Sequence, residues 1–289
     1  MDFIHINFQF LWLSYGEKEV DSELEKKIEL AAKLINRSRR IVALTGAGIS
    51  TESGIPDFRG KEGLWTKEDP MKWAHIDAFM RDPAAYWARA IDPKRSLHIE
   101  EAQPNEGHYG LVELERMGKL IAVITQNVDG LHQKAGNSHV IELHGNTNRA
   151  HCLKCNAQYE RVDIIQRVRK GENPPLCKKP GCTGLIKSNS VLFGEPLPED
   201  AILYAYQLTE LCDLMIVLGS SLVVYPAAHL PNSARGCGAS VIIINIDETD
   251  KDYLADIVIN GEKIGDVLPK IIKKYKELEP LQAAEEIGP

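Results

Sequence analysis

Four of the six cysteines lie in two close pairs whose spacing suits a metal ion. Two residues separate Cys152 from Cys155, four separate Cys177 from Cys182, and 21 residues lie between the pairs. Four thiolates complete the tetrahedral shell of Zn²⁺ and leave no coordination position for water or substrate. The N-terminal stretch lacks the basic segment and unbroken apolar core of a secretory leader, which favours a metal site over disulfides. We therefore predict one structural Zn²⁺ bound by these four cysteines.

A second set of polar residues follows five short apolar runs, at residues 41–44, 121–124, 140–143, 214–218 and 241–244. Each run ends in a small or polar cluster, at residues 45–48, 125–129, 144–145, 219–221 and 245–247. Apolar strands that alternate with helices indicate a parallel sheet covered on both faces. Because ligands bind at the carboxyl ends of such strands, we expect the clusters to converge. Turn formation alone would explain one glycine-rich cluster, but it explains His144 and the polar run at 126–129 less well.

These patterns predict an α/β fold with a Rossmann-like, doubly wound parallel sheet and a second, smaller domain. The sheet domain is expected to comprise residues 21–60, 104–149 and 188–280. A helical insertion at 61–103 and a zinc-binding module at 150–187 interrupt the strand–helix alternation, and we expect them to form the smaller domain. A ligand cleft between two domains is common. Residues 1–20 are predicted to be an N-terminal extension and residues 281–289 a C-terminal tail.

Two features of the N-terminal region bear on its secondary structure. Alternation over residues 8–12 is compatible with an added strand. The first helix is expected over residues 22–36, because Ser22-Glu23-Leu24-Glu25 has the pattern of a capping box and apolar residues then repeat at helical spacing. The segment before it is too short to span a bilayer, so we expect a cytoplasmic protein that does not associate with membranes.

The first glycine-rich cluster resembles the beginning of a dinucleotide-binding turn. Gly46 and Gly48 would let the backbone approach a pyrophosphate, and the following helix N-terminus would favour its negative charge. The third glycine of that pattern is missing, and no acidic residue ends a second strand about twenty residues later. A dehydrogenase that transfers hydride is therefore disfavoured. A ribose-binding acid could instead come from Asp247, after the last predicted strand.

Several motifs taken together resemble the sirtuin family, in particular its prokaryotic and archaeal members, over residues 38–269. They occur in the family's order: Gly46-Ala47-Gly48-Ile49-Ser50, Gly54-Ile55-Pro56-Asp57-Phe58-Arg59, Thr125-Gln126-Asn127-Val128-Asp129, His144-Gly145, the cysteine pairs, Phe193-Gly194-Glu195 and Asn245-Ile246-Asp247. The resemblance implies an NAD-dependent protein lysine deacetylase that transfers the acetyl group to ADP-ribose and releases nicotinamide. NAD is then a co-substrate, and the Zn²⁺ is structural.

The same resemblance implies a role for each matching residue. The catalytic residues would be His144 as the base on the ribose hydroxyls, Asn127 as the group that orients the ribose, and Asp129 in the nicotinamide pocket. NAD would contact Gly46, Ala47, Gly48, Ile49, Ser50, Ile55, Pro56, Asp57, Phe58, Arg59, Trp65, Gln126, Asn127, Val128, Asp129, Gly219, Ser220, Ser221, Asn245, Ile246, Asp247 and Ile264. The acyl-lysine peptide would pair with Val191, Phe193, Gly194, Glu195, Leu222, Val223 and Val224.

The acyl group is the main question within the family. Desuccinylases and demalonylases in this family read the acyl carboxylate with a Tyr-x-x-Arg pair, and Tyr86 and Arg89 have that spacing. Alignment from Pro83 places Ala90 and Pro93 at the matching positions, so we interpret Tyr86 and Arg89 as ordinary helix residues and favour acetyl. Arg89 or Arg95 could still reach the acyl group. Mono-ADP-ribosyl transfer to protein remains an alternative outcome of the same NAD cleavage.

The net charge limits the range of partners. A formal charge of −7 argues against a broad phosphate-binding surface, and hence against a zinc-ribbon protein that binds nucleic acid, which is the alternative from another functional class. We expect the partners to be acyl-lysine-bearing proteins, including basic chromatin-type proteins. Cys212 and Cys237 stand alone, and we expect both to be buried apolar side chains.

Overall fold

A computed structural model describes the backbone of residues 8–60, 63–93 and 99–285, and the side chains of residues 22–60, 63–93 and 99–278. Its strands are β1 (Ile41–Thr45), β2 (Leu120–Thr125), β3 (Val140–Glu142), β4 (Arg149–Cys152), β5 (Gln158–Glu160), β6 (Ile186–Ser188), β7 (Leu214–Leu218), β8 (Ser240–Asn245) and β9 (Ile257–Asn260). Its α-helices are α1 (Phe8–Arg37), α2 (Leu64–Lys67), α3 (Ile76–Arg81), α4 (Pro83–Ile91), α5 (Glu106–Arg116), α6 (Leu131–Ala135), α7 (Arg161–Arg169), α8 (Glu199–Leu211), α9 (Leu230–Gly236) and α10 (Ile264–Glu285).

The main sheet has six strands in the order β3-β2-β1-β7-β8-β9, and every pairing is parallel. Strands β1 and β7 are buried along their whole length, as expected for strands with helices on both faces. From β1 the chain adds β2 and β3 towards one edge of the sheet, and from β7 it adds β8 and β9 towards the other edge. This reversal opens a crevice at the carboxyl ends of β1 and β7, and the predicted Rossmann-like fold class is confirmed.

Two apolar cores cover the faces of this sheet. One packs helices α1, α5 and α10 against the sheet, with Ile35, Leu111 and Leu268 among its fully buried members. The other lies beneath α8 and α9 and includes Leu208 and Leu230. The cores hold the sheet rigid, so the strand ends can position side chains accurately.

The two insertions form a smaller domain around a core of their own. Strands β5, β4 and β6 make an antiparallel sheet, which packs with α7 and α4. Trp87 of α4 is fully buried among Ala150, Ile164 and Ile186, and its indole Nε1 donates to the Ile186 carbonyl at 2.9 Å. The helical insertion and the zinc-binding module therefore share one core.

The structure differs from the expected secondary structure at three places. Helix α1 begins at Phe8, so residues 8–12 are helical and the added strand is wrong; the glutamates and lysines that follow favour a helix continuing through Ser22. Strand β9 was not predicted because it is a four-residue edge strand with alternating burial. Helix α10 runs to Glu285, into the predicted tail, and residues 1–7 and 286–289 lie outside the described residues.

The two isolated cysteines have different environments. Cys212 is buried, and its thiol donates to the Thr209 carbonyl at 3.1 Å. Cys237 is exposed at the C-terminal end of α9, so its predicted burial is wrong. Among the described residues, no helix has both the length and the apolar character that crossing a bilayer requires.

The shared core of the smaller domain generates a prediction for Trp87. Replacing a buried tryptophan with alanine costs about 3–5 kcal/mol, so Trp87→Ala should lower the free energy of unfolding by that amount in urea with zinc present. Trp87→Phe keeps most of the apolar volume but leaves the Ile186 carbonyl unpaired, and should cost about 1–3 kcal/mol. Wild-type stability of Trp87→Ala would show that the two insertions do not depend on this contact.

Candidate active site

A cavity of about 870 Å³ lies between the strand ends of the main sheet and the smaller domain. Most of the predicted site residues line it. They are Gly46, Ala47, Gly48, Ser50, Ile55, Asp57, Phe58, Arg59, Trp65, Gln126, Asn127, Val128, Asp129, His144, Val191, Phe193, Gly194, Glu195, Gly219, Ser220, Ser221, Val223, Val224, Asn245, Ile246 and Asp247. The clusters that are scattered along the sequence therefore meet in one place.

Four of the predicted residues are not in the cavity wall. Ile49 and Ile264 are buried in the core beneath helix α10, and Leu222 is buried in the opposite core. Pro56 is exposed, between two residues that do line the cavity. Motif position alone does not tell which side of a turn faces the ligand, and here the apolar side chains point into the protein.

The turn after β1 touches the turn after β7 through backbone hydrogen bonds. The Gly48 N–H donates to the Gly219 carbonyl at 2.8 Å, and the Gly46 N–H donates to the Leu218 carbonyl at 3.0 Å. A Cβ at Gly46 would lie 2.7 Å from the Gly219 oxygen, and one at Gly48 would lie 2.7 Å from the Gly219 Cα. Only glycine permits this close approach of the two turns.

Asn127 is held by hydrogen bonds that use both hydrogens of its side-chain amide. Its Nδ2 donates to the Gly46 carbonyl at 3.0 Å and to the Ser50 hydroxyl at 3.1 Å. The side-chain oxygen is therefore the group left to accept from a ligand. Ser50 donates in turn to Asp129 at 2.8 Å. Burial raises the pKa of the Asp129 carboxyl, although the Leu131 N–H and the Ser50 hydroxyl lower it.

His144 is positioned as a neutral base. Its Nδ1 lies 2.9 Å from the Gln126 carbonyl, and because a carbonyl can only accept, Nδ1 carries the proton. Nε2 is then unprotonated and available to take a proton. Burial lowers the pKa of His144 below its ordinary value and nearby Arg59 lowers it further, while the hydrogen bond to Gln126 raises it. The ring is therefore neutral at physiological pH.

Aromatic side chains form one wall of the cavity near His144. The Trp65 ring lies 5.3 Å from Phe58 and 5.4 Å from Phe193, measured between centroids. The Arg59 guanidinium stacks 3.8 Å from the Trp65 ring centroid. The Gln126 amide, also in the lining, donates to the Ser220 hydroxyl at 2.8 Å. The cavity is therefore lined by both aromatic and polar groups.

The segment that carries Phe193 bridges the two domains. The Phe193 N–H donates to the Ala74 carbonyl at 2.8 Å, and the Ile76 N–H donates to the Phe193 carbonyl at 2.9 Å. Glu195 forms an ion pair with Lys187 at 2.9 Å, and the Lys187 side chain is 2% exposed. This buried pair fixes the segment relative to strand β6.

The far wall of the cavity contains charged residues that sequence reasoning missed or misjudged. Tyr86 and Arg89, interpreted from sequence as ordinary helix residues, both line it; that they do not read an acyl carboxylate stays a prediction. Arg89 pairs with Glu68 at 2.7 Å, and Arg161 pairs with Glu100. Arg161 and Glu100 gave no motif signal, because only the tertiary fold brings them together. Arg95 lies outside the described residues.

The four paired cysteines form a site for a structural Zn²⁺. Their Sγ atoms all lie within 4.8 Å of one another, with separations of 3.6 Å between Cys152 and Cys182 and between Cys155 and Cys177. Zn–S bonds of about 2.3 Å in a tetrahedron place sulfurs about 3.8 Å apart, which fits this arrangement. Because all four ligands come from protein, the ion stabilises the smaller domain rather than acting in catalysis.

Removing zinc is therefore expected to destabilise the smaller domain. We predict about one zinc per chain in the wild-type protein, measured by atomic absorption, and loss of the metal with a lower Tm in Cys177→Ser. The matched control is Cys237→Ser, because Cys237 is exposed and outside the cluster; it should keep both zinc and Tm. Unchanged thermal unfolding after complete removal of the metal would contradict a structural role.

Comparison with known proteins places this site in a family. The Sir2 family model matches residues 46–226. The chain is 47% identical over 255 residues to NAD-dependent protein deacylase 2 of Archaeoglobus fulgidus, covering 88% of this chain and 98% of that protein. It is 46% identical over 250 residues to NAD-dependent protein deacetylase 1 of Pyrobaculum aerophilum, covering 86% and 95%. A solved structure of Sir2 bound to acetylated peptide matches with a TM-score of 0.75 and 40% identity, over 84% of this chain and 95% of that one. The chain therefore belongs to the Sir2, or sirtuin, family.

Proposed function

We propose that this protein is an NAD-dependent protein lysine deacetylase, which transfers the acetyl group from lysine to ADP-ribose and releases nicotinamide. The observation that carries the proposal is one cavity that combines a backbone-lined crevice of the dinucleotide-binding kind with a neutral histidine whose Nε2 is free. The names of the relatives, deacylase and deacetylase, support it. So does the solved Sir2 structure that contains an acetylated peptide.

The residues present fit NAD at the strand ends. Gly46, Gly48 and Arg59 line the same cavity, and we assign the phosphates to this turn and to the Arg59 guanidinium. We assign the adenosine half to Ser220, Asn245 and their neighbours after β7 and β8. Bound NAD would supply an electrophilic ribose carbon from which neutral nicotinamide departs.

The residues of the chain then have separate tasks in our proposal. Asn127 offers its side-chain oxygen to the ribose, and Asp129 belongs to the nicotinamide pocket. Nε2 of His144 accepts a proton from a ribose hydroxyl, and the Gln126 carbonyl stabilises the charged ring that results. The apolar wall formed by Phe58 and its aromatic neighbours excludes water, which would otherwise compete with the acyl group for the ribose.

We further propose that the second substrate is an extended peptide bearing acyl-lysine, including peptides of basic chromatin-type proteins. The backbone of residues 191–195 and 222–224 would form the two edges that pair with it. Pairing through the backbone implies a loose sequence preference. Four of the six cysteines are grouped as a metal site rather than as disulfides, which fits a reducing compartment, so we expect the enzyme to act in the cytoplasm.

Product analysis by mass spectrometry tests the proposed reaction. The protein is incubated with NAD and an acetyl-lysine peptide, and we expect free-lysine peptide, nicotinamide and acetylated ADP-ribose in equal amounts. Release of acetate without NAD consumption would contradict the proposal. An ADP-ribosylated peptide as the main product would indicate the transferase alternative instead.

The assignment of His144 as the base gives a mutational prediction. His144→Ala should lower kcat by about 10²–10⁴-fold while zinc content and Tm stay at wild-type values. His151→Ala is the control, because His151 lies in the smaller domain, where its Nδ1 is hydrogen-bonded to the Asn189 side chain. Wild-type turnover by folded His144→Ala would remove His144 from the mechanism.

The environment of His144 also sets the acid limb of the pH profile. The base must be neutral, and its pKa lies below the ordinary histidine value of 6.5. Activity should therefore persist as the pH falls through 6.5 and decline only at the lower pKa of the folded enzyme. An acid limb of kcat/KM centred above the ordinary value would contradict this environment.

The preferred acyl group follows from the ion pairs of Arg89 and Arg161 in the cavity wall. Arg89 and Arg161 are both paired already, with Glu68 and Glu100. An acyl chain ending in a carboxylate would have to displace one of these partners or stay unpaired in a largely buried site, which is costly. An acetyl group needs no cation. This supports acetyl over succinyl or malonyl as the preferred group.

The pairing of Arg161 makes a gain-of-function prediction. Wild-type kcat/KM should be higher for an acetyl peptide than for the matched succinyl peptide. Glu100→Gln frees the Arg161 guanidinium and should raise succinyl turnover by about tenfold, and adding Arg161→Met should remove the gain. The control is Glu160→Gln, which deletes an exposed carboxylate next to Arg161 in sequence. Wild-type succinyl turnover that equals acetyl turnover, and is lost in Arg89→Met or Arg161→Met, would show a desuccinylase.

A further inference from the structure

A row of buried polar side chains runs beneath the cavity floor, from the start of helix α5 to the end of strand β2. It contains His108 of α5, His132 of α6, Thr45 at the end of β1 and Thr125 at the end of β2. None of the four is more than 3% exposed. Buried polar groups are costly unless they are hydrogen-bonded, so each of these side chains needs a partner.

The two threonines connect this row to Asn127. The Thr45 hydroxyl donates to Oγ1 of Thr125 at 2.8 Å, and the backbone N–H of Asn127 donates to the same oxygen at 3.0 Å. The Asn127 side chain then holds the Gly46 carbonyl and the Ser50 hydroxyl. A shift of Thr45 or Thr125 would therefore move the amide that we assign to the ribose.

The hydrogen bond to Thr45 determines which nitrogen of the His132 ring carries the proton. Nε2 of His132 lies 2.9 Å from Oγ1 of Thr45. The single hydroxyl hydrogen of Thr45 is directed to Thr125, so Thr45 accepts from His132 and Nε2 carries the ring proton. Nδ1 of His132 is then a bare acceptor. It is buried and has no hydrogen-bond partner within the described ranges.

The neighbouring histidine has the complementary group. The Asn105 N–H donates to Nδ1 of His108 at 3.3 Å, so Nδ1 is an acceptor and Nε2 carries the proton. That buried Nε2–H also lacks a partner among the residues described. The two rings lie 4.9 Å apart between centroids with an interplanar angle of 54°. The orphan donor and the orphan acceptor therefore belong to two neighbouring rings.

We propose that His108 and His132 are positioning residues for deacylation: Nε2–H of His108 donates to Nδ1 of His132, and the pair holds Thr45, Thr125 and Asn127 in register. This inference rests on the proposed function for its kinetic consequence, but not for the hydrogen bond itself. Both rings must be neutral for the arrangement to exist. Burial lowers the pKa of His108 to about 4. Burial and the neighbouring His108 lower that of His132 to about 3.

The hydrogen bond is tested on the wild-type, full-length, zinc-loaded protein. Long-range proton–nitrogen correlation spectra of ¹⁵N-histidine protein report which ring nitrogen carries the proton in each of the nine histidines. His108→Gln and His132→Gln identify the two signals. We expect both rings to be neutral and protonated at Nε2 at neutral pH. A proton on Nδ1 of His132, or a charged ring at either position, would overturn the proposal.

The kinetic consequence is tested with variants that separate polarity from packing. His132→Phe keeps a buried ring without nitrogens, and should lower kcat by about tenfold to a hundredfold with the KM for acetyl peptide within about twofold. His132→Gln can donate to Thr45 and accept from His108, and should restore much of kcat. His139→Phe is the control, because the ring of His139 bonds the Ile121 carbonyl outside the cavity.

A double-mutant cycle shows whether His132 acts through Thr45. If it does, Thr45→Val and His132→Phe should be non-additive in kcat. Additive losses in kcat, or wild-type kcat in folded His132→Phe, would show that the two histidines contribute only packing. Either result would overturn their positioning role. If these variants fail to fold, the wild-type tautomers still overturn the proposal whenever either ring is charged or His132 carries its proton on Nδ1. A wild-type protein that does not deacetylate would count against the proposed function alone, since the tautomer measurement needs no turnover.

Discussion

The structure depends on the contact between two backbone turns at the centre of the sheet. Strands β1 and β7 run parallel in register, and the turns after them meet where the Gly48 N–H reaches the Gly219 carbonyl at 2.8 Å. A Cβ at Gly46 or Gly48 would collide with the second turn. Asn127 then anchors to the Gly46 carbonyl, and the remaining polar groups are arranged around it. The geometry of the cavity is therefore set by a contact that only glycines allow.

The smaller domain forms the opposite wall of the cavity. A few buried contacts connect the stability of this domain to the geometry of the site. Four thiolates bind Zn²⁺ beside a core whose centre is Trp87. The ion pair between Lys187 and Glu195 then ties this domain to the segment proposed to bind peptide. Removing one partner of a buried ion pair leaves an uncompensated charge, which is strongly destabilising. A structural metal can in this way influence the geometry of the cavity wall.

Local sequence was enough to predict the features that local chemistry determines. Continuous apolar runs identified five of the six main strands, and the spacing of the cysteines identified the metal site. Features that arise only from tertiary contact could not be read in the same way. The pairing of Arg161 with Glu100 joins residues from separate segments, and the His108–His132 contact joins two helices. Burial of Ile49 and Ile264 was missed for a similar reason, since a motif does not show which side of a turn faces the core.

We propose that the glycine-lined crevice binds NAD, and calorimetric titration of Gly48→Ala with NAD measures the contribution of this crevice to binding. A Cβ at this position would lie 2.7 Å from the Gly219 Cα, so the two turns must separate. We predict that NAD binds at least about tenfold more weakly, or ~1.4 kcal/mol, while zinc content and helicity are retained. Gly236→Ala is the matched control, because a Cβ there meets no atom within 4 Å. Wild-type affinity for NAD in folded Gly48→Ala would contradict the account.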